Sequence, residues 1–325
     1  MWWLTSRLRP ERGASAVIVG IMLVPLIGSL AIALDVGALY AERAQLQNGA
    51  DAAALAIAMG CADDGVCDAP GAAAANFTND NANDGAANVL APVIDLTNKT
   101  VTVTDSTRVA GTDQNAIQHP FAAMLGITET TVGATATAEW GGIRSGPAVL
   151  PLALSFCEFQ LFGELNNEQK LTIRYDENHP CTRNGMDIPG GFGWLEQTDG
   201  TCAATVAVDG SVPSEPGVDS PSNCDATLRA LEGSTVLIPI FDGSTGNGGP
   251  GIFHIYAFAA FRVTGWKFAG GNRFPLVNVD RYPGCDCSGG NERFIQGFFE
   301  EWVTIDSAYD IGGPDTNVTT VNLTN

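Results

Sequence analysis

Residues 14–34 read ASAVIVGIMLVPLIGSLAIAL and contain no charged side chain. At about 1.5 Å of rise per residue, a helix of this length crosses the roughly 30 Å hydrocarbon layer of a membrane. A cleaved secretory signal is the alternative interpretation, but its apolar region is usually only about 7 to 15 residues long. We therefore predict an uncleaved transmembrane anchor at residues 14–34.

Charged residues flank this segment unequally. Arg7, Arg9 and Arg12 precede it, and the next base along the chain is Arg43. Because positive charge accumulates on the cytoplasmic side of a membrane helix, residues 1–13 are predicted to lie inside and residues 35–325 outside the cell. The predicted outer part is acidic, with 13 bases and 35 acids.

The helical pattern continues beyond the apolar segment. Apolar and small residues recur at three- and four-residue steps after Asp35, and no proline follows Pro25 before Pro70. The recurring positions are Val36, Leu39, Tyr40, Leu46, Ala50, Ala53 and Ile57. This periodicity predicts one long helix that extends to about residue 59.

Small residues occupy every fourth position along part of this helix, at Ser29, Ala33, Gly37 and Ala41. Small side chains let a second helix approach closely within a membrane. This face is predicted to pack against other membrane helices, including those of a second copy of the chain. The alternative is that small residues are common in membrane helices and that the outer half packs on its own domain.

Composition limits the class of protein. The chain has 325 residues, of which 45% are hydrophobic and 16% are charged, and its formal net charge is −20. These values argue against a disordered acidic tail and allow about two ordinary domains. A strongly acidic surface repels phosphates, so nucleic-acid binding is not expected.

The predicted fold class is α+β. After the anchor we expect an α+β domain at residues 35–143, with a hairpin around residues 97–100, and a mostly β domain at residues 144–325. The Gly- and Pro-rich segment GGIRSGPAVLP at 141–151 marks the predicted boundary. In the second domain, the runs VLIPIF, IYAFAAFRVTGW and FIQGFFEEWVTI favour strands.

Eight cysteines indicate disulfides outside the cytoplasm. They are Cys61, Cys67, Cys157, Cys181, Cys202, Cys224, Cys285 and Cys287. Cys61 and Cys67 bracket a short loop that one disulfide would close. Cys285 and Cys287 are predicted to find partners elsewhere because they are so near in sequence. The remaining connectivity is left open.

No motif predicts a catalytic residue, a cofactor or a metal site. The segment DGSTG at 242–246 lacks the last serine of a metal-binding Asp-x-Ser-x-Ser motif, and it is interpreted as a turn between two strands. Ala82 interrupts the calcium-loop-like DNANDG at 80–85. We therefore do not expect an enzyme, although chance pairs among the many carboxylates leave a hydrolase as a remote alternative.

Several segments together resemble the Flp pilus-assembly TadE/TadG-like family of bacteria. They are ERGASAVIVG, LDVGALYAERAQLQNGADAAALAIA and PFAAMLGI…TTVGATATAEWG, within residues 10–145. The resemblance implies a pilin-like, membrane-anchored protein of the cytoplasmic membrane. Processed pilins generally carry a glutamate five residues after the glycine at which they are cleaved. If Gly13 were that glycine, the fifth residue would be Ile18, so prepilin-type processing is not expected.

The resemblance implies a role in assembling or anchoring a Flp/Tad-type pilus. The implied partners are the membrane, pilins and other pilus-assembly membrane proteins, with homo-oligomers through the N-terminal helix. The alternative is a surface adhesin or ligand-binding module, for which Trp194, Trp266 and Trp302 are candidate platforms unless they are buried in the core.

Overall fold

The structure, a computed structural model, describes residues 12–112, 114–162, 169–177, 179–217, 219–245, 251–271, 273–285, 287 and 289–324. The predicted cytoplasmic residues 1–11, which include Arg7 and Arg9, lie outside the described residues. The chain divides into two compact units. The first unit comprises the described part of Met1–Ala54, with Ala69–Val93 and Thr102–Thr137; the second comprises Leu55–Asp68, Ile94–Val101 and the described part of Ala138–Asn325.

The helices and strands have the following bounds. The α-helices are α1 (Arg12–Asp64), α2 (Pro70–Asn81), α3 (Phe156–Phe162) and α4 (Asp225–Ala230), and 3-10 turns lie at Ala122–Leu125 and Thr198–Gly200. The strands are β1 (Ala87–Val89), β2 (Val93–Asp95), β3 (Thr100–Thr107), β4 (Ile117–Gln118), β5 (Glu129–Thr130), β6 (Gly133–Ala148), β7 (Leu152–Ser155), β8 (Leu171–Arg174), β9 (Cys181–Arg183) and β10 (Met186–Ile188). They continue with β11 (Phe192–Trp194), β12 (Ala204–Ala207), β13 (Ser211–Pro213), β14 (Thr235–Thr245), β15 (Ile252–Lys267), β16 (Val277–Asn278), β17 (Phe294–Phe299), β18 (Trp302–Thr304), β19 (Asp310–Gly313) and β20 (Val318–Thr324).

The first unit packs the outer half of α1 against strands. Leu46 forms a small core with Ala87 of β1 and Ala134 of β6. β3 alternates between buried and half-buried residues, as expected for a strand with one face against a helix. The helix α2 lies close to α1 because Gly49 has no side chain: a Cβ there would lie 2.9 Å from the Cα of Thr78.

The second unit is built on the long hairpin β14–β15. One sheet has the strand order β11-β7-β14-β15-β17-β8, with β13 and β16 also pairing with β15. A second group of strands includes β12 and β19, which pair with β6, and β18, which pairs with β20. Ile143 of β6 and Val318 of β20 share a core with Phe258 of β15, so the sheet faces pack on each other.

The predicted α+β class is confirmed: a long N-terminal helix precedes a mostly β region. The predicted hairpin is also present, since β2 pairs with β3. Its turn is held by Asp95, whose Oδ1 accepts the N–H groups of Thr97 and Asn98 at 2.9 and 3.0 Å. Helix α1 ends at Asp64, slightly beyond the predicted residue 59.

Two glycine-containing segments continue strands. Residues 141–148, within the predicted domain boundary, belong to strand β6. Their glycines serve packing, because a Cβ at Gly142 would collide with the backbone of Pro314 and one at Gly146 with the ring of Tyr309. Residues 242–245 are likewise the end of β14 and not a turn; Gly246 lies outside the described residues.

The structure pairs each of the eight cysteines, all of which lie in its described part. The pairs are Cys61–Cys67, Cys157–Cys181, Cys202–Cys224 and Cys285–Cys287. The prediction that Cys285 and Cys287 have other partners differs from this arrangement. Their Cα atoms are 5.5 Å apart, within the usual range for bonded cysteines.

Candidate functional site

The inner half of α1 is a bare apolar helix. Among the described residues, this is the one helix long and apolar enough to cross a membrane, and its most apolar 18-residue window has a mean hydropathy of 2.7 with no residue buried. Large apolar side chains such as Val24, Leu26 and Leu30 are exposed. In water so continuous an apolar surface would be costly, whereas in lipid it is the expected surface of a single span.

The predicted packing face lies on this exposed part. Ser29, Ala33, Gly37 and Ala41 are all exposed, and no heavy atom lies within 4 Å of where a Cβ of Gly37 would be. The Ser29 hydroxyl donates to the carbonyl of Pro25 at 2.8 Å, which satisfies it within the helix. The face that packs on the first unit is instead formed farther out, by residues such as Leu46 and Ala50.

A cleft of about 400 Å³ lies in the second unit. Aromatic side chains form much of its described lining, and the polar residues at its rim are Ser214, Glu215, Ser244 and Thr245. The aromatic residues are Tyr175, Phe192, Trp194, Phe241 and Phe253. A concave site that combines aromatic and polar groups is a candidate small-ligand site.

The aromatic lining is held rigidly. Phe192 and Trp194 meet edge to face with ring centroids 6.1 Å apart, and Phe241 and Phe253 are 4.7 Å apart. Gly193 leaves room for the Phe253 ring, which occupies the space that a Cβ would need. The Ser214 hydroxyl accepts the Gly251 N–H at 2.7 Å and thus fixes one edge.

A buried carboxylate lies next to this cleft. Glu158 accepts the N–H of Gly191 at 3.0 Å, and its other oxygen is 3.5 Å from Nδ1 of His179. Burial raises the pKa of Glu158, and the Gly191 N–H and His179 partly offset this effect. Because Glu158 is buried, it ties α3 to the loop at Gly191 and does not face the cleft.

A second charged cluster lies where β14 meets β15. Oδ1 of Asp242 lies 2.6 Å from Nδ1 of His254, and Oδ2 of Asp242 lies 3.1 Å from Nε of Arg183. The Arg183 guanidinium lies 4.5 Å from the ring centroid of Phe156 and 3.7 Å from that of Tyr256. Among the described residues no serine hydroxyl bonds to His254, so no Ser–His–Asp arrangement forms here.

The three candidate tryptophans have different environments. Trp194 and Trp266 are buried in the core, whereas Trp302 is 41% exposed. Trp194 nevertheless contributes to the lining of the cleft. The other lining residues were not predicted, because they come from segments far apart in the sequence and share no local pattern.

Comparison with known proteins concerns the N-terminal helix. Residues 13–60 match the family model described as putative Flp pilus-assembly TadE/G-like. Neither a curated protein nor a solved structure matches the chain. The matched segment includes both the bare apolar half of α1 and the part that packs on the first unit. Similarity to the putative Flp pilus-assembly TadE/G-like family is therefore shown for residues 13–60.

Proposed function

We propose that this protein is a single-pass membrane protein that helps to assemble or anchor a Flp/Tad-type pilus. Residues 14–34 span the cytoplasmic membrane, the N-terminus lies in the cytoplasm, and the rest of the chain lies outside. The observation that carries this proposal is the exposure of the apolar half of α1 within the segment that matches the pilus-assembly family.

The two halves of α1 have different tasks in this proposal. The outer half is used within the chain, since Leu46 and Ala50 are buried. The described residues of the chain leave the inner half exposed, so it can contact lipid and other helices. The face of Ser29, Ala33, Gly37 and Ala41 is where pilins, other assembly proteins or a second copy approach.

The cysteines support the outward orientation. Eight paired cysteines are typical of proteins outside the reducing cytoplasm. Residues 35–325 carry more acids than bases, whereas cytoplasmic segments next to a membrane helix are typically rich in Lys and Arg. Both features support the proposal that residues 35–325 lie outside the cell.

The experiment is complementation of a deletion strain, with surface pilin in sheared fractions as the readout. Gly37→Leu adds bulk to the small-residue face and is expected to reduce piliation severely. Ala38→Leu is the matched control, since residue 38 is also exposed but lies about 100° around the helix. Both variants must reach wild-type levels in the membrane.

Normal piliation in the deletion strain contradicts the proposed function. Equal piliation with both leucine variants contradicts the assigned face but leaves the role in the pilus intact. These outcomes separate the function from the surface that performs it.

The cleft favours a second candidate function, the display of a ligand-binding module. Aromatic side chains next to polar groups suit a sugar or a short apolar peptide. The test is binding of glycan and peptide arrays by the intact protein, with Phe253→Ala expected to abolish any signal and Trp302→Ala to leave it unchanged. One carboxylate, Glu215, is found in the described lining, so the paired acids that would favour a hydrolase are not assembled there.

A further inference from the structure

The first unit carries a small hairpin with an apolar tip. Strands β4 and β5 pair in antiparallel register, and the residues between them form a turn that contains the 3-10 helix Ala122–Leu125. We call residues 119–128, HPFAAMLGIT, the apolar tip. They include no Asp, Glu, Lys or Arg, although acids are frequent in the chain.

The apolar tip exposes large side chains. Met124 is 89% exposed, Ile127 is 54% exposed and Phe121 is 42% exposed. Three such residues within seven positions are more closely spaced than the single exposed apolar residues that are normal on a protein surface. A patch of this kind indicates a contact surface.

Asp35 fixes the position of the tip along α1. Its Oδ2 accepts the N–H groups of Phe121 and Ala122 at 3.1 and 2.6 Å, and only 6% of Asp35 is exposed. Asp35 directly follows Leu34, the last residue of the apolar segment. The tip therefore lies at the level where the predicted membrane span ends.

The backbone of the tip is already hydrogen-bonded. The N–H of His119 donates to Thr128, that of Gly126 to Ala123 and that of Ile127 to Ala122. His119 is buried, with Nε2 2.8 Å from the Thr130 hydroxyl. Internal bonding lowers the cost of moving a backbone from water into a lipid interface.

We propose that the apolar tip is a second membrane contact, which inserts Phe121, Met124 and Ile127 into the interface of the outer leaflet beside the span. Lipid is the occupant favoured by the observations because the patch continues the exposed apolar surface of α1 at the same height. This inference rests on the proposed membrane span. Its consequence is that α1 and the hairpin hold the first unit at two points on the bilayer.

The test uses the full chain reconstituted at low density in phosphatidylcholine and phosphatidylglycerol vesicles. Single cysteines are introduced as Met124→Cys, Ile27→Cys and Ala110→Cys and labelled with an NBD maleimide without reductant, so that the paired native cysteines do not react. Quenching by lipids with a nitroxide high on the acyl chain is then measured. Quenching of the label at position 27 shows whether the predicted span lies in the bilayer.

Ala110 is the matched control in the same unit. Its N–H donates to Asp84, and the neighbouring Asn83 N–H donates to Gln45, ten residues beyond Asp35 on α1. Ten helical residues correspond to about 15 Å, so the label at position 110 lies above the interface. We expect the label at 124 to be quenched at least about threefold more than that at 110.

The outcomes distinguish the two proposals. Quenching at 27 together with a water-like signal at 124 overturns the tip contact and leaves the span in place. A water-like signal at both positions overturns the span as well. Shielding at 124 that disappears as the protein is diluted in lipid assigns the patch to a second copy and also overturns the lipid contact.

The role of Asp35 is tested in the same assay. Asp35→Ala removes the acceptor of both tip N–H groups and is expected to lower quenching at 124 while quenching at 27 is unchanged. Asp51→Ala is the control, because Asp51 also lies on α1 and contacts Gln47 and not the tip. Unchanged quenching at 124 in Asp35→Ala contradicts the positioning role of Asp35.

Discussion

Asp105 is a buried carboxylate on β3 of the first unit. Only 1% of it is exposed, and no described residue donates a well-formed hydrogen bond to either side-chain oxygen. Burial raises its pKa to about 7, the nearby N–H groups of Ala134 and Asp105 itself lower it in part, and the charges of Glu42 and Asp51 raise it further. At mildly acidic pH the folded protein therefore holds a proton that the unfolded chain releases.

This proton makes the stability of the first unit depend on pH. Because the folded pKa of about 7 exceeds the ordinary aspartate pKa of 3.8, the free energy of unfolding falls as pH rises between these values, by up to about 4 kcal/mol. Asp105→Asn is expected to remove most of this pH dependence, even if the substitution changes the free energy of unfolding at any single pH. The measurement is amide exchange of residues 102–107 at pH 5.5 and 8, corrected for intrinsic rates.

The control for Asp105 is Asp80→Asn, an exposed carboxylate on α2 of the same unit. It should keep the wild-type difference between the two pH values. Burial of Glu42 raises its pKa in the same direction, so a small dependence remains in Asp105→Asn. An unchanged dependence in Asp105→Asn contradicts the assignment.

Glycines within one element can have opposite roles, and α1 provides the comparison. Gly49→Ala places a Cβ 2.9 Å from Thr78 Cα and forces α2 away, at an expected cost of about 1 to 3 kcal/mol. In Gly60→Ala the added Cβ has no described heavy atom within 4 Å. The higher helix propensity of alanine should therefore stabilise the protein by about 1 kcal/mol. Thermal unfolding followed by circular dichroism measures both; a gain in Gly49→Ala would contradict the close helix packing.

Local sequence predicts some elements well and others not at all. Helix α1 follows from its apolar periodicity, and the β2–β3 hairpin from valine-rich runs around a polar turn. The continuation of strand β6 through residues 141–148 was not predicted, because glycines such as Gly142 and Gly146 are typical of a domain boundary. Their reason for being glycine lies in Pro314 and Tyr309, which are far away in the sequence.

Two disulfides close long loops in the second unit. Cys157–Cys181 and Cys202–Cys224 have sequence separations of 24 and 22 residues. Loop closure predicts that removing either pair by double alanine substitution costs about 3 kcal/mol, against about 1 kcal/mol for Cys285–Cys287 with a separation of 2. Denaturant midpoints from tryptophan fluorescence test this order, and an equal loss for all three pairs contradicts it.

At the scale of the whole molecule, the sequence predicted the α+β class with its long apolar N-terminal helix, whereas the membrane topology and the small-residue packing face stay predictions. It did not predict the cleft, because Trp194, Ser214 and Phe253 meet only after β11, β13 and β15 assemble. The tip at 119–128 had a signal, an uncharged run in an acidic chain. Its link to Asp35 depends on a contact between residues 86 and 87 positions apart.

We propose that residues 14–34 anchor the chain in the membrane and that residues 35–325 lie outside the cell. Single cysteines from Thr5→Cys and Ala110→Cys, treated in intact cells with a membrane-impermeant maleimide, test it most directly. We expect position 110 to be labelled in intact cells and position 5 to be labelled only after permeabilisation. Both labelled variants should be recovered in the membrane fraction. Labelling of position 5 in intact cells, or position 110 recovered in the medium on a chain shortened past Leu34, would contradict it.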